Sequence, residues 1–162
     1  MDYLEGITNP GWLVFALGFL GVIFFLAVVR QRESKRIMEK FDEEDIVITS
    51  FGVNYFGLES EKGGPLRSSG ALVLLKHGLY YRARYRKIEL YIKKGSITYI
   101  GISDVHKGKP LYQNAVVIKF INDEGKEEKA AFRIPYPNQW MMAISKNLIT
   151  SQAAHKNSNI SE

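Results

Sequence analysis

The 162-residue chain contains no cysteine. That absence removes disulfides, thiol nucleophiles, Cys-based zinc sites and iron–sulfur ligation at once. Basic residues are missing from the first 29 positions, where Asp2 and Glu5 are the only charges. A secretory signal peptide opens on a basic segment and closes on a small-x-small site. Here the first apolar run ends Leu26-Ala27-Val28-Val29-Arg30, which offers no such site. Histidine is scarce, with His77, His106 and His155 only. Asp104-x-His106 is one pair of potential ligands on an expected loop, short of a metal-binding set. The stretch 57–64 does not follow the phosphate-binding Gly-x-x-x-x-Gly-Lys-Ser/Thr pattern. Ser68-Ser69-Gly70 is not a Gly-x-Ser-x-Gly elbow. Glu124, Glu127 and Glu128 fall at a hairpin turn rather than as a pair poised for acid–base work. No catalytic residue, cofactor or metal is assigned on these grounds.

What is present is distributed unevenly. The overall hydrophobic fraction, 46%, is ordinary for a soluble domain. Yet residues 12–29 form one uncharged apolar run. As a helix it spans ~27 Å at ~1.5 Å per residue, close to the ~30 Å hydrocarbon core of a bilayer. Trp12 lies at one end, where an indole suits the headgroup region, and Arg30 and Arg32 at the other, where they can snorkel. Arg30, Arg32, Lys35, Arg36 and Lys40 follow the run and none precedes it. The positive-inside rule then places residues 1–11 outside and the rest in the cytoplasm of a single-pass protein of the cell membrane. Gly11, Gly18 and Gly21 make no Gly-x-x-x-Gly pair. Residues 30–41 lack Gly and Pro and are expected to extend the helix as a basic juxtamembrane linker.

Residues 42–154 read as one water-soluble domain, with 155–162 as a disordered tail. Short β-type runs recur at 46–49, 51–58, 71–75, 79–85, 88–92, 97–102, 115–121 and 129–134. Lys76-His77-Gly78 and Asn122-Asp123-Glu124-Gly125 are hairpin signals. Residues 60–70 and 103–113 are expected to be loops, rich in Gly, Ser and Pro. Pro135 and Pro137 end the strands. Asn138 can cap a helix running to about residue 154, whose Trp140, Ile144 and Leu148 form an apolar stripe. The lack of helix-length crossovers argues against a parallel sheet. The expected class is mainly β: an antiparallel barrel of about seven strands with one C-terminal helix, after a transmembrane helix.

A family likeness follows from particular stretches. Residues 70–81, from Gly70-Ala71-Leu72-Val73-Leu74 to Tyr80-Tyr81, and residues 88–97, from Ile88-Glu89-Leu90-Tyr91-Ile92 to Ser96-Ile97, resemble the pleckstrin-homology superfold. The likeness is to its GRAM-like and bacterial PH-like branches in particular. The chain has Lys93 where that pattern often has proline. Gly57-Leu58-Glu59-Ser60 followed by Leu66-Arg67-Ser68-Ser69-Gly70 is similar to a group of small membrane-anchored bacterial proteins. The resemblance covers about residues 43–150. It implies a lipid- or protein-binding module without catalysis, although fold does not fix function.

The densest charge lies in residues 76–94: Lys76, Arg82, Arg84, Arg86, Lys87, Lys93 and Lys94, opposed only by Glu89. By the period of two along a strand, Arg82, Arg84 and Arg86 share one face and Tyr81, Ala83 and Tyr85 take the other. Three guanidiniums in a row would suit phosphate headgroups. The plainer reading is a solvated strand face that discourages edge pairing. Lys107 and Lys109 could extend the patch. Tyr80, Tyr81, Tyr85 and Tyr91 among basic residues raise nucleic acid as a partner. A net charge of +5 and a membrane tether argue against it. The expected role is a membrane-anchored, non-enzymatic binding module, contacting anionic lipid of the bilayer or recruiting a protein. The alternatives are a structural accessory subunit of a membrane complex and an enzyme with an unrecognised site.

Overall fold

A computed structural model describes residues 10–65 and 67–149. The expected extracytoplasmic stretch up to residue 9, the helix beyond residue 149 and the tail therefore lie outside the described residues. The chain divides into two compact units, residues 1–40 and 41–162.

The described part of the first unit holds the helix α1 (Pro10–Met38), which runs past the apolar stretch and ends at Met38, three residues short of the expected juxtamembrane end at Phe41. Its apolar residues are not tucked into protein: Phe15 is 82% exposed and Phe24 72%. In water that surface would be costly at roughly 25 cal/mol per Å². The helix is long and apolar enough to cross a membrane. Lys35 and Arg36 in the last turn complement the helix dipole, and Lys35 pairs with Glu39 at 3.8 Å.

The second unit is mainly β. Its strands are β1 (Ile46–Leu58), β2 (Ser68–Leu75), β3 (Gly78–Ala83), β4 (Glu89–Lys93), β5 (Ile97–His106), β6 (Lys109–Ile121) and β7 (Glu127–Arg133). They form one seven-stranded antiparallel sheet in the order β4-β3-β2-β1-β7-β6-β5. The runs 46–49 and 51–58 join as one bulged strand. A register shift lies between Phe51 and Val53, where Gly52 takes φ 75°. The sheet is open, with β4 and β5 as its edges, so closure around the expected barrel is incomplete. It nevertheless curls about one core to which every strand contributes. Val53, Leu72, Tyr81, Ile92, Ile97, Ile118 and Phe132 meet there, with Trp140, Ile144 and Leu148 from the C-terminal helix. That helix is α2 (Pro137–Ile144), continued by one wider turn, Ser145–Ile149.

Tyr55, Tyr81 and Phe132 pack with ring centroids 4.9–5.7 Å apart. The buried Tyr81 hydroxyl donates to the Ser68 carbonyl at 2.9 Å, which satisfies a phenol that burial would otherwise penalise. β2 is buried on both faces, as its run of apolar residues requires. Beside it, Phe41 packs edge-on against Tyr80 at 4.9 Å.

Three local expectations are corrected. Residues 103–113 are not a loop. β5 reaches His106, Lys107 and Gly108 make a two-residue turn, and β6 starts at Lys109. Both turn residues have positive φ (53° and 67°), the geometry that suits a tight hairpin. Asn138 does not cap α2; the cap position is Tyr136, with Pro137 as the first helical residue. And β3 stops at Ala83, before Arg84.

Candidate functional site: a cationic loop end

The end of β3 decides how the basic residues are grouped. Ala83 pairs with Gly70, and Arg84 donates its amide to the Ser69 carbonyl at 2.8 Å, the last rung before the chain turns away. Residues 84–88 then loop back to β4. The alternation of a strand no longer applies there, so Arg82, Arg84 and Arg86 do not form a ladder. Arg82 instead faces Glu89 across the strand pair at 3.7 Å. Tyr85, expected on the strand face opposite the arginines, is 79% exposed at the loop, with the Arg84 guanidinium 5.8 Å from its ring.

Of the seven cations of residues 76–94, Arg82 lies on the β3–β4 pair and the other six divide between the two ends of the sheet. Lys76, Lys93 and Lys94 lie at the end where the chain comes in: Lys76 donates its amide to Asp45, and Lys94 donates its amide to His77. There Lys93 pairs with Asp123 at 2.6 Å, a hydrogen bond that raises the lysine pKa. Arg84, Arg86 and Lys87 lie at the other end, five to six residues along β3, or ~17–20 Å away at ~3.4 Å per residue.

That second end also holds the β1–β2 loop (residues 59–67), because the loop feeds directly into Ser68 and Ser69 beside Arg84. Lys62 and Arg67 are exposed there. The β5–β6 tip joins them. A Cβ on Gly64 would lie 3.5 Å from the Lys109 ammonium, so Lys109 sits against this loop. Among the described residues, no carboxylate pairs with Lys62, Arg67, Arg86, Lys87 or Lys109. Sequence reasoning missed Lys62 and Arg67. They are isolated in the chain; the antiparallel pairing of β2 with β3 brings Arg67, two residues before Ser69, near Arg84, and Lys62 lies farther along the same loop.

The β5–β6 tip reaches this end by an unusual path. In the ladder β5 is separated from β1 by β6 and β7, a lateral distance of ~14 Å at ~4.8 Å per strand. The tip therefore folds back across the outer face of the sheet. Residues 111–114 form a bulge opposite Asp104, with Tyr112 at φ 57°, and bulges bend strands. Beneath the fold lies a second small core of Phe56, Ala115, Val117 and Ala131, packed against Leu111.

At the landing point, His106 is fully buried and its Nε2 donates to the Gly57 carbonyl at 2.9 Å. A carbonyl only accepts, so the proton is on Nε2 and Nδ1 presents a lone pair. Nδ1 lies 3.5 Å from Glu59 Oε2 without a hydrogen-bond partner. Glu59 is held by Lys129 at 2.5 Å. Lys107, with its side chain 4% exposed, donates to the Glu61 carbonyl at 3.0 Å and pairs with its carboxylate at 3.7 Å. Ser60 donates its amide and its hydroxyl to Glu128. Burial pushes the Glu128 pKa up, but these donors and the Lys129 amide outweigh it, and the net shift is downward. Burial lowers the His106 pKa, opposed by the Gly57 carbonyl and Glu59, and aided by Lys129 and Lys107.

His106 and Lys107 are therefore structural fasteners rather than members of an exposed patch. No group of three His, Cys, Asp or Glu residues placed to hold a metal ion occurs among the described residues. The arrangement is a rim of cations, without carboxylate partners among the described residues, on loops whose base is locked.

No protein-family model matches the chain, and no curated protein matches it by sequence. Among solved structures it is similar to a chain of "The 8S snRNP Assembly Intermediate", with 13% identity and a TM-score of 0.48 over 68% of this chain and 84% of that one. It is also similar to the C-terminal domain of an unknown protein from Leishmania infantum, with 14% identity and a TM-score of 0.45 over 65% and 84%.

Proposed function

We propose that the protein is a single-pass, non-enzymatic membrane module of the PH/GRAM-like kind, whose cationic loop end contacts anionic phosphate headgroups of the bilayer. The observation that carries this reading is the set Lys62, Arg67, Arg86, Lys87 and Lys109, which no carboxylate pairs among the described residues. Five cations on three loops, with Tyr85 exposed among them, match the phosphate plane and the interfacial zone of a membrane. The strand order with a C-terminal helix supports the PH-like reading. The basic flank Arg30, Arg32, Lys35 and Arg36 supports an outside N-terminus and a cytoplasmic domain. Of the patch read from residues 76–94, Arg84, Arg86 and Lys87 belong to this surface. Lys76, Lys93 and Lys94 belong to the opposite end, and Arg82 to a strand pair.

The test is flotation of residues 41–162 with vesicles of neutral or anionic lipid. The fragment is the second compact unit and carries the whole sheet with the core cluster beneath it. Binding should appear with anionic vesicles, fall with salt, and drop about thirtyfold in Arg86→Ala/Lys87→Ala. That figure follows from ~1 kcal/mol per basic residue at an anionic surface. Binding indifferent to lipid charge would sink the reading. A protein partner is the second reading, favoured by exposed Tyr99, Ile102, Val105 and Tyr112 on the β5–β6 hairpin. Crosslinking from native membranes, lost on changing Tyr99 and Tyr112 to Ser, would support it.

A further inference from the structure

We infer that the seam between the free edge of β4 and the β6–β7 turn is a docking slot for an extended, basic segment of a partner polypeptide, which pairs with β4 and seats a lysine side chain in the cavity there. The slot lies apart from the cationic loops and does not depend on the anionic-surface reading.

The ladder fixes which way β4 points its backbone. The Ala83 amide donates to the Ile88 carbonyl and the Lys94 amide to the His77 carbonyl, both at 2.9 Å. Bonded and non-bonded pairs alternate along an antiparallel ladder, so Leu90 and Ile92 exchange their bonds with β3. Tyr91 and Lys93 turn their amides to the other side, where β4 has no neighbouring strand. The Lys93 carbonyl accepts from the Ser96 amide at 3.1 Å and the Ser96 hydroxyl at 2.8 Å. The Tyr91 amide and carbonyl and the Lys93 amide are left facing the seam, where an added strand would pair with them.

A cavity of 180 Å³ adjoins that edge. It touches Leu90 and Ile92, on the core face of β4, and also Tyr91 and Lys93, on the opposite face. Residues of alternating face share one wall only along the edge of a strand. Leu58, Phe120 and Glu128 line the cavity too. Cavities of ~150 Å³ admit a benzene-sized body, so this one takes a single long side chain. Glu128 selects its chemistry. The residue is only 6% exposed, and the donors to its carboxylate are neutral: the Ser60 amide and hydroxyl and the Lys129 amide. Among the described residues no cation pairs with it. The Lys129 ammonium is on Glu59 and the Lys93 ammonium on Asp123. A buried charge without a counter-charge is costly. A lysine entering from the edge lays its methylene stem against Leu58, Leu90 and Phe120 and brings its ammonium to Glu128.

The test is an NMR titration of the full-length chain in neutral detergent with two end-blocked heptapeptides. One is Thr-Val-Thr-Lys-Thr-Val-Thr; the other has norleucine in place of lysine. The lysine peptide should slow hydrogen exchange at the Tyr91 and Lys93 amides about tenfold or more at saturation. The norleucine peptide should bind about tenfold more weakly, although the protein's net charge of +5 by itself disfavours the lysine form. Glu128→Gln keeps the shape and removes the charge, so that variant should bind both peptides equally. If it fails to fold, Tyr91→Pro tests the pairing instead. The amide it removes points away from β3, where an edge strand tolerates proline, and binding of the lysine peptide should fall about tenfold or more. Absent binding, equal binding of the two peptides to the unsubstituted chain, a preference for lysine kept in folded Glu128→Gln, or binding unchanged in Tyr91→Pro would overturn the slot. So would concentration-dependent protection of Tyr91 and Lys93 in the chain alone, which would put a second copy on this edge.

Discussion

The two ends of the sheet treat positive charge differently. At the end where the chain comes in, the lysines are interleaved with acids: Lys93 meets Asp123, Lys126 meets Glu124, and residues 42–45 are all acidic. At the loop end the nearby carboxylates Glu59 and Glu61 are spent on the inward-facing Lys129 and Lys107. The outward Lys62, Arg67, Arg86, Lys87 and Lys109 have no carboxylate partner among the described residues. Both ends are rich in cations by count. At the loop end the exposed cations Lys62, Arg67, Arg86, Lys87 and Lys109 outnumber the exposed carboxylates Glu59, Glu61 and Asp104, and a net positive surface is what an anionic partner responds to within a Debye length of ~10 Å.

The largest effect expected is one that erases both ends. Trp140→Ala removes the indole on which the curled sheet closes and should cost about 3–5 kcal/mol, read as a fall in the urea midpoint of residues 41–162. Gly70→Ala comes next and strikes the loop end first. Its Cβ would lie 2.0 Å from the Arg82 carbonyl and 2.8 Å from the Ala83 Cα. A loss of about 1–3 kcal/mol is expected, with increased exchange in residues 67–69 and 84–88.

Paired substitutions separate the two ends. Arg86→Ala/Lys87→Ala should weaken anionic-vesicle binding about thirtyfold, while Lys93→Ala/Lys94→Ala should change it less than about threefold. Equal losses from the two pairs would dissolve the distinction between the ends. The smallest effect belongs to Asp123→Ala. It breaks an exposed ion pair and should leave the urea midpoint unchanged, while the Lys93 pKa returns toward its ordinary value in an NMR titration.

Much of the fold is legible in the chain because it depends on near neighbours. Alternation and turn residues mark the strands, and the i, i+4 spacing of Trp140, Ile144 and Leu148 marks the buried helix face, which all three occupy. Less of the site is legible. The alternation carried past Ala83 into Arg84 and Tyr85 because composition does not say where a strand's partner runs out; that is set by β2 beginning at Ser68. Lys107-Gly108-Lys109-Pro110 reads as loop by composition. It is a hairpin tip, because Pro110 needs no amide bond at its position and Lys107 is held in a left-handed conformation by its grip on Glu61.

By itself the sequence determined an apolar helix long enough to cross a bilayer, the number and polarity of the strands, and the stripe that closes the core. Each follows from residues within a few positions of one another, through periodicity and turn chemistry. Only the tertiary structure decided which cations share a surface and that His106 is buried against Gly57, 49 positions away. Those outcomes depend on ladder order and on a hairpin bent across three strands. The contacts involved are set by the packing of the whole sheet, which no local pattern encodes.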